Sequence, residues 1–131
     1  MTVHIRLAAV GLDCADPAAL AAFYSTLTGA KTLLASEKVV ALLDDQPRII
    51  INAYWVPDYV PPVWPGVAGQ PTKQLHLDFA VDDLEAAQEL ALSAGASLAD
   101  EQSDPEHHRV LLDPAGHPFC LTLNIPAGIF D

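Results

Sequence analysis

Two side chains capable of acid–base or metal-binding chemistry, His76 and Cys120, lie within strand-like stretches of the sequence. A histidine titrates near neutral pH, so His76 can serve as a general base, a hydrogen-bond donor or a metal ligand. A thiol beside a base becomes a better nucleophile, and Cys120 close to His76 would form such a pair. His76 can equally be a core histidine paired with a neighbour, so pocket, metal and structural roles all stay open.

Alternation along the strands predicts which side chains share a face with His76. Three strands place polar residues on one face, and if the sheets curl, these faces enclose a cleft. A flat sheet with one face in solvent would show the same alternation, so both arrangements stay open. Asp78 shares the face of His76, but at ~6.5 Å along a strand we expect no direct bond between the two. The residues expected on such faces are Asn52, Tyr54, His76, Asp78, Ala80, Cys120, Thr122 and Asn124.

The strands that carry these residues belong to a strand-and-helix pattern that occurs twice along the chain. Asp16-Pro17 is typical of a helix start, with Asp as the N-cap, and Gly29 is placed to end that helix. Asp82, with a glutamate three residues later, predicts a second helix start as a capping box, and Gly95 ends this helix. Each helix is followed by Gly-Ala, and both the two aspartates and the two glycines are 66 positions apart. The sequence therefore indicates an internal duplication.

Each half reads as β-α-β-β-β. A turn is expected at 44–47, and Asp113-Pro114-Ala115-Gly116 predicts a type I turn within a hairpin. We expect one α+β domain over residues 1–131, with module one at about 4–56, a connector at 57–72 and module two at about 73–125. Residues 57–71 contain five prolines and predict an extended linker. The predicted strands are 7–16, 31–35, 38–43 and 48–56 in the first half, and 75–81, 97–99, 107–112 and 117–124 in the second.

Composition and charge exclude several classes of function. Six Lys and Arg against 17 Asp and Glu give a formal net charge of −11, and the basic residues are scattered, which argues against binding to nucleic acid or to anionic membranes. No apolar run is long enough to span a membrane, and the N-terminus lacks the features of a signal peptide, so we expect a cytoplasmic protein. The two cysteines suggest no disulfide framework.

The segments LHLDFAVDDLEAAQELALSAGA and VLLDPAGHPFCL, together with the PVWPG of the connector, resemble the vicinal oxygen chelate superfamily. That superfamily includes glyoxalase I, the bleomycin-resistance proteins and the extradiol dioxygenases, and the nearer resemblance is to glyoxalase-like domain proteins. It implies two tandem βαβββ modules that form curled mixed sheets around a cleft. It also implies a small-molecule ligand and a homodimer, with the cleft formed either within one chain or across two.

The resemblance also implies where a metal would be held, on the first and last strands of each module. Of these four positions, one keeps a residue type that usually binds the metal, and at another a cysteine stands in place of the usual ligand. Hard cations need several oxygen donors, and zinc normally takes three or four protein ligands. We therefore expect a metal-independent binding protein of the bleomycin-resistance or sequestration type; the alternative is a lyase, isomerase or dioxygenase that uses a divalent metal ion. The four positions fall on Ala9 or Val10, on Ala53 or Tyr54, on His76 and on Cys120.

Trp64 lies in the proline-rich connector, where an aromatic side chain can cover a pocket or bury at a subunit interface. His76 is the candidate catalytic residue, and it is the only residue that matches a family metal position. The full set of expected ligand-binding residues is Asn52, Tyr54, Trp64, His76, Cys120 and Thr122.

Overall fold

Two β-α-β-β-β units follow one another in the computed structural model, which describes residues 3–45, 48–126 and 128–129. The order of elements is the one that the duplicated sequence predicts. Module one comprises β1 (Ala9–Cys14), α1 (Pro17–Thr28), β2 (Lys31–Ala35), β3 (Val39–Asp45) and β4 (Arg48–Trp55). Module two comprises β5 (Leu77–Ala80), α2 (Leu84–Ala94), β6 (Ser97–Leu98), β7 (His108–Leu112) and β8 (Pro118–Thr122).

The ends of the helices follow the predicted signals with one exception. The Asp16 side chain accepts a hydrogen bond from the backbone N–H of Ala19, and Gly29 ends α1 in the left-handed region, at φ 79°. The second N-cap is Asp83, so the expected cap at Asp82 is wrong. Asp83 has an extended backbone, and its side chain accepts from the N–H of Ala86, three residues ahead. Relative to the 66-residue repeat of the sequence, the second helix thus begins one residue later than α1 does.

The eight strands form two separate four-stranded sheets, ordered β1-β4-β3-β2 and β5-β8-β7-β6. In each sheet the first and last strands of the module pair in parallel, and the other pairs are antiparallel. The expected mixed sheets are confirmed. β1 and β5 are edge strands, and over the described residues the two sheets do not join into one closed sheet.

The predicted hairpin between β7 and β8 is also confirmed. The backbone N–H of Gly116 donates to the carbonyl of Asp113 at 2.8 Å, and that of Asp113 donates to the carbonyl of His117 at 3.0 Å. The first-module turn expected at 44–47 lies partly outside the described residues, since 46 and 47 are not among them. β5 is shorter than expected because its pairing with β8 covers only Leu77 to Ala80, so His76 immediately precedes the strand.

The core lies between the two helices and the two sheets, and α1 contacts both modules. The ring of Phe23 lies 4.9 Å from that of Tyr24 and 5.7 Å from that of Phe119, while Tyr24 lies 6.0 Å from Phe79. Such tilted and edge-on contacts are the favoured arrangements of buried aromatic rings. One face of each sheet is therefore covered, and the opposite face, called here the open face, carries the side chains of the other parity. No helix within the described residues is long and apolar enough to cross a membrane.

Candidate functional site

The open face of the second sheet brings three chemically distinct side chains together. Asp78 and Cys120 are register partners on the parallel strands β5 and β8, and His76 precedes Asp78 by two residues on the same face. One potential ligand atom from each of the three lies within 4.8 Å of the others. We refer to His76, Asp78 and Cys120 as the open-face cluster.

A direct contact joins His76 to Asp78, with Nδ1 3.3 Å from the carboxylate Oδ1. The two side chains thus lie closer together than the ~6.5 Å spacing of their residues along a strand suggested. His76 lies just before the regular strand, and its side chain reaches along the face toward the carboxylate. The side chain of His76 is 33% exposed and that of Asp78 is 50% exposed, so a molecule from solvent can reach the pair.

The thiol of Cys120 has the opposite of an activating environment. Its pKa is raised to about 11, first by burial and then by the negative charge of Asp78 and the hydrogen bond to it, and the positive charge of Lys73 offsets only part of this. The thiol thus remains protonated at neutral pH and donates to the carboxylate. A nucleophilic cysteine needs surroundings that stabilise the thiolate, and here the negative charge of Asp78 disfavours it even though His76 lies within 4.8 Å.

The open face of the first sheet carries Asn52 and Tyr54 on β4. Asn52 is half-buried and is the register partner of Gly11 on β1. The Tyr54 ring lies against that glycine, because a Cβ at Gly11 would come within 2.6 Å of Cε2 of the ring. Glycine inside a strand often marks such a close approach. The ring is still 41% exposed, so it offers an aromatic surface on this face.

The remaining two predicted ligand residues lie in different settings. Thr122 is buried, and its hydroxyl accepts from the backbone N–H of Asn124 at 2.9 Å. This hydrogen bond lies at the end of β8. Trp64 is half-buried in the connector, which has neither helix nor strand over the described residues 57–76, as expected of a linker. The structure thus brings His76 and Cys120 together, and it places Asn52 and Tyr54 on the other sheet.

The open-face cluster can be compared with the donor sets that metal ions require. It offers one nitrogen, one oxygen and one sulfur atom, all from module two. This mixture suits a borderline ion such as Zn²⁺, which binds three protein ligands and keeps one open position in catalytic sites. It matches Mg²⁺ or Mn²⁺ less well, because these ions favour oxygen-rich sets. The corresponding positions on β1, Ala9 and Val10, offer no donor side chain.

A buried polar network joins the two modules. Only the turn at residues 113–116 could be recognised in the sequence. Asp113, 4% exposed, accepts from the Tyr24 hydroxyl at 2.6 Å and from the backbone N–H groups of Ala115 and His117. Burial raises the pKa of this carboxyl, although all three hydrogen bonds oppose the shift. The burial of Tyr24 and the charge of Asp113 raise the pKa of the tyrosine well above its usual range.

The connector is attached to the same turn through Tyr59. The Tyr59 hydroxyl donates to the carbonyl of Ala115 at 2.8 Å and lies 3.2 Å from Nε2 of His117. That nitrogen is also 2.6 Å from the carbonyl of Asp13, and since a carbonyl only accepts, Nε2 carries the proton. Sequence reasoning assigned no role to Tyr59 or His117, because their partners lie 56 to 104 positions away in the chain.

Two tandem βαβββ modules, each with its first and last strands paired in parallel, form the glyoxalase-like fold of the vicinal oxygen chelate class of protein. The model of the glyoxalase-like domain matches residues 9–122, which is most of the chain. The chain belongs to this glyoxalase-like domain family, as the resemblance of its motifs predicted. No curated protein matches the chain.

Solved structures share the fold at low sequence identity. A glyoxalase/bleomycin resistance protein/dioxygenase family enzyme from Burkholderia phytofirmans is 21% identical, with a TM-score of 0.65 over 89% of this chain and 97% of that one. A glyoxalase-related enzyme from Fulvimarina pelagi is 18% identical, with a TM-score of 0.67 over 95% and 94%. A mutant of the fosfomycin resistance protein FosX from Listeria monocytogenes, complexed with Mn(II) and 1S,2S-dihydroxypropylphosphonic acid, is 14% identical, with a TM-score of 0.69 over 95% and 93%. These likenesses establish the fold.

Proposed function

We propose that this protein is a small-molecule binding protein of the bleomycin-resistance or sequestration type, and that it holds its ligand on the open face without a metal. The observation that carries the proposal is the open-face cluster, in which an accessible histidine and carboxylate contact each other at 3.3 Å. Such a pair can donate to and accept from a ligand at once, because the imidazole offers a donor and the carboxylate an acceptor. His76 is also the group best placed for acid–base chemistry, should the ligand be a substrate.

The apolar part of this site is proposed to come from a second copy of the chain. On the open face of the first sheet, the side chains of Leu34 and Tyr54 are 56% and 41% exposed. A homodimer that pairs this face with the open face of the partner's second sheet would cover these side chains and would bring Asn52 and Tyr54 toward the cluster. Trp64 and Thr122 are proposed to close the margins of the same pocket. A cytoplasmic location is part of the proposal, as the sequence predicted.

A second candidate, metal-dependent catalysis, is favoured by the donor set of the open-face cluster. His76, Asp78 and Cys120 would hold the ion, and the ion would supply Lewis acidity toward a substrate oxygen. Asp78 would then serve as a ligand, and no position on β1 would contribute. The reaction classes that fit are those of a lyase, an isomerase or a dioxygenase. The Mn(II) of the FosX complex is a property of that protein and supports this candidate only through the shared fold.

Binding of the neutral apolar dye N-phenyl-1-naphthylamine, followed by its fluorescence, tests the proposal. We expect binding that is unchanged by a chelator and is at least several-fold weaker in His76→Asn and in Tyr54→Ala. His4→Asn, which changes an exposed histidine outside the open-face cluster, is the matched control. Loss of binding in the chelator would favour the metal-dependent candidate. Equal binding by His76→Asn and the control would refute the proposed site.

A further inference from the structure

A cavity of about 700 Å³ lies between the two modules along the free edge of β5. Module one contributes Val10, Leu27 and Ile51 to its wall, and module two contributes residues 77–82 and Leu90. Its volume is within the range of pockets that hold small organic molecules, and its wall is mostly apolar, as such pockets are. None of the six residues that the sequence predicted as ligand contacts lines this cavity.

The charged side chains that line the cavity all have the same sign. They are Asp44 at the end of β3, Asp78 on β5 and Asp82 just before α2, and none of the described lining residues is basic. Both modules therefore contribute negative charge to one apolar space. Asp78 and Asp82 are exposed to solvent and Asp44 is half-buried, so Asp44 is the least screened of the three.

The end of α1 adds a further preference for positive charge. Leu27 and Thr28, the last residues of this helix, line the cavity, and the last turn of α1 contains no basic residue. The carboxyl end of a helix carries a partial negative charge that favours a cation nearby. Asp82 lies just before the amino end of α2, whose partial positive charge offsets part of that carboxylate. Asp44 and the end of α1 both belong to module one, and both favour a positive charge in the cavity.

We propose that this cavity is a binding site for a small organic cation with an apolar body, such as an aromatic or alicyclic amine. The apolar body would pack against Ile51, Leu77 and Leu90, and the ammonium group would lie toward Asp44 and the end of α1. A neutral molecule of the same shape would gain only the apolar contacts, and an anion would be repelled. This site differs from the one in the proposed function, although Asp78 belongs to both because the cavity runs along β5.

Three probes with one naphthylmethyl body and different head groups test the charge preference: trimethylammonium, hydroxyl and carboxylate. We expect titration calorimetry of the full chain to show that the ammonium probe binds at least tenfold more tightly than the alcohol, and that the carboxylate binds most weakly. Raising the salt concentration should narrow these differences, because salt screens the charges. Equal affinities for the ammonium probe and the alcohol would refute a cation site.

Variants locate the binding. Asp44→Asn should weaken the ammonium probe several-fold and leave the alcohol unchanged, whereas Asp100→Asn, on an exposed loop outside the cavity, should change neither. Leu90 is 43% exposed, so Leu90→Trp can fill the cavity without disturbing the core, and it should abolish the tighter binding of the ammonium probe. His76→Asn should leave the ammonium probe bound, which separates this site from the open-face cluster. Full binding by Leu90→Trp, or a change in its oligomeric state in place of a loss of binding, would overturn the proposal.

Discussion

The Tyr24 hydroxyl donates a 2.6 Å hydrogen bond to the Asp113 carboxylate, and this bond ties the helix of module one to the hairpin turn of module two. Both groups are buried, and the residues are 89 positions apart in the chain. Together with the ring contacts of Phe23 and Tyr24 to Phe119, this bond sets the relative placement of the two modules, and so of the two open faces. The stability of the fold and the geometry of the candidate site therefore depend on the same pair.

Tyr24→Phe should destabilise the protein by ~1.5–3 kcal/mol, the usual range for a hydrogen bond to a charged group. The ring contacts with Phe23 and Phe79 persist in the variant, so the loss reports the hydroxyl alone. Urea unfolding measures this difference. Tyr54→Phe, on the open face, is the control and should change the free energy of unfolding by less than ~0.5 kcal/mol. Equal effects of the two substitutions would contradict a stabilising role for the Tyr24–Asp113 bond.

Asp113 should make folding stability depend on pH in a direction opposite to that of a carboxylate in a salt bridge. Burial raises the pKa of Asp113 above its ordinary value of 3.8, so the folded state holds the proton more tightly than the unfolded state does. The contribution of this group is fully present below pH 3.8 and is lost as the pH rises through the folded pKa. The free energy of unfolding of the native protein minus that of Asp113→Asn should therefore fall with rising pH across this window. A difference that grows with pH would show a lowered pKa instead.

Cys120 should react slowly with thiol reagents even though it lies on an accessible face. With its pKa raised from 9.0 to about 11, the thiolate fraction near pH 7.5 is roughly a hundredfold lower than that of an unperturbed cysteine. Asp78→Asn should increase the rate several-fold, because it removes the charge and replaces the carboxylate acceptor, while burial remains. The rate is measured with a disulfide reagent in the presence of a chelator, and Cys120→Ala identifies the signal. Faster reaction in the native protein than in Asp78→Asn would contradict this environment.

Gly11→Ala should displace the Tyr54 ring, because the added Cβ would lie 2.6 Å from Cε2. The ring is 41% exposed and can swing away, so we expect a cost below ~1 kcal/mol in stability but weaker binding of N-phenyl-1-naphthylamine. A double-mutant cycle with Tyr54→Ala checks the cause, since the binding effect of Gly11→Ala should vanish once the ring is gone. Additive effects on binding would mean that Gly11 acts by another route.

The repeated unit could be predicted from the sequence because its signals are local. Asp16-Pro17, Gly29 and Gly95 act within a turn of the helices that they begin or end, and alternation along a strand is visible without any partner. The shift of the second cap from Asp82 to Asp83 escaped prediction because both aspartates can cap, and which one does so depends on where β5 ends. Local patterns therefore leave such boundaries open by one residue.

The contacts of the site were harder to predict because they depend on pairing between distant strands. That Asp78 lies beside Cys120 follows from the register of β5 and β8, which no single stretch of sequence reveals. The shared parity of His76 and Asp78 was visible, but backbone spacing alone did not predict their contact. The Tyr59–His117 link and the cavity between the modules arise only when both halves are assembled.

A crystal structure of the protein purified with an aromatic ligand and without a chelator, recorded with anomalous data, is the most direct test of metal-independent binding on the open face. We expect ligand density against His76 and Asp78, with Tyr54 of the partner subunit on its other side, and no anomalous peak at the open-face cluster. A metal ion bound by His76, Asp78 and Cys120 would contradict the proposed function, and the protein would then be a metal-dependent member of the family.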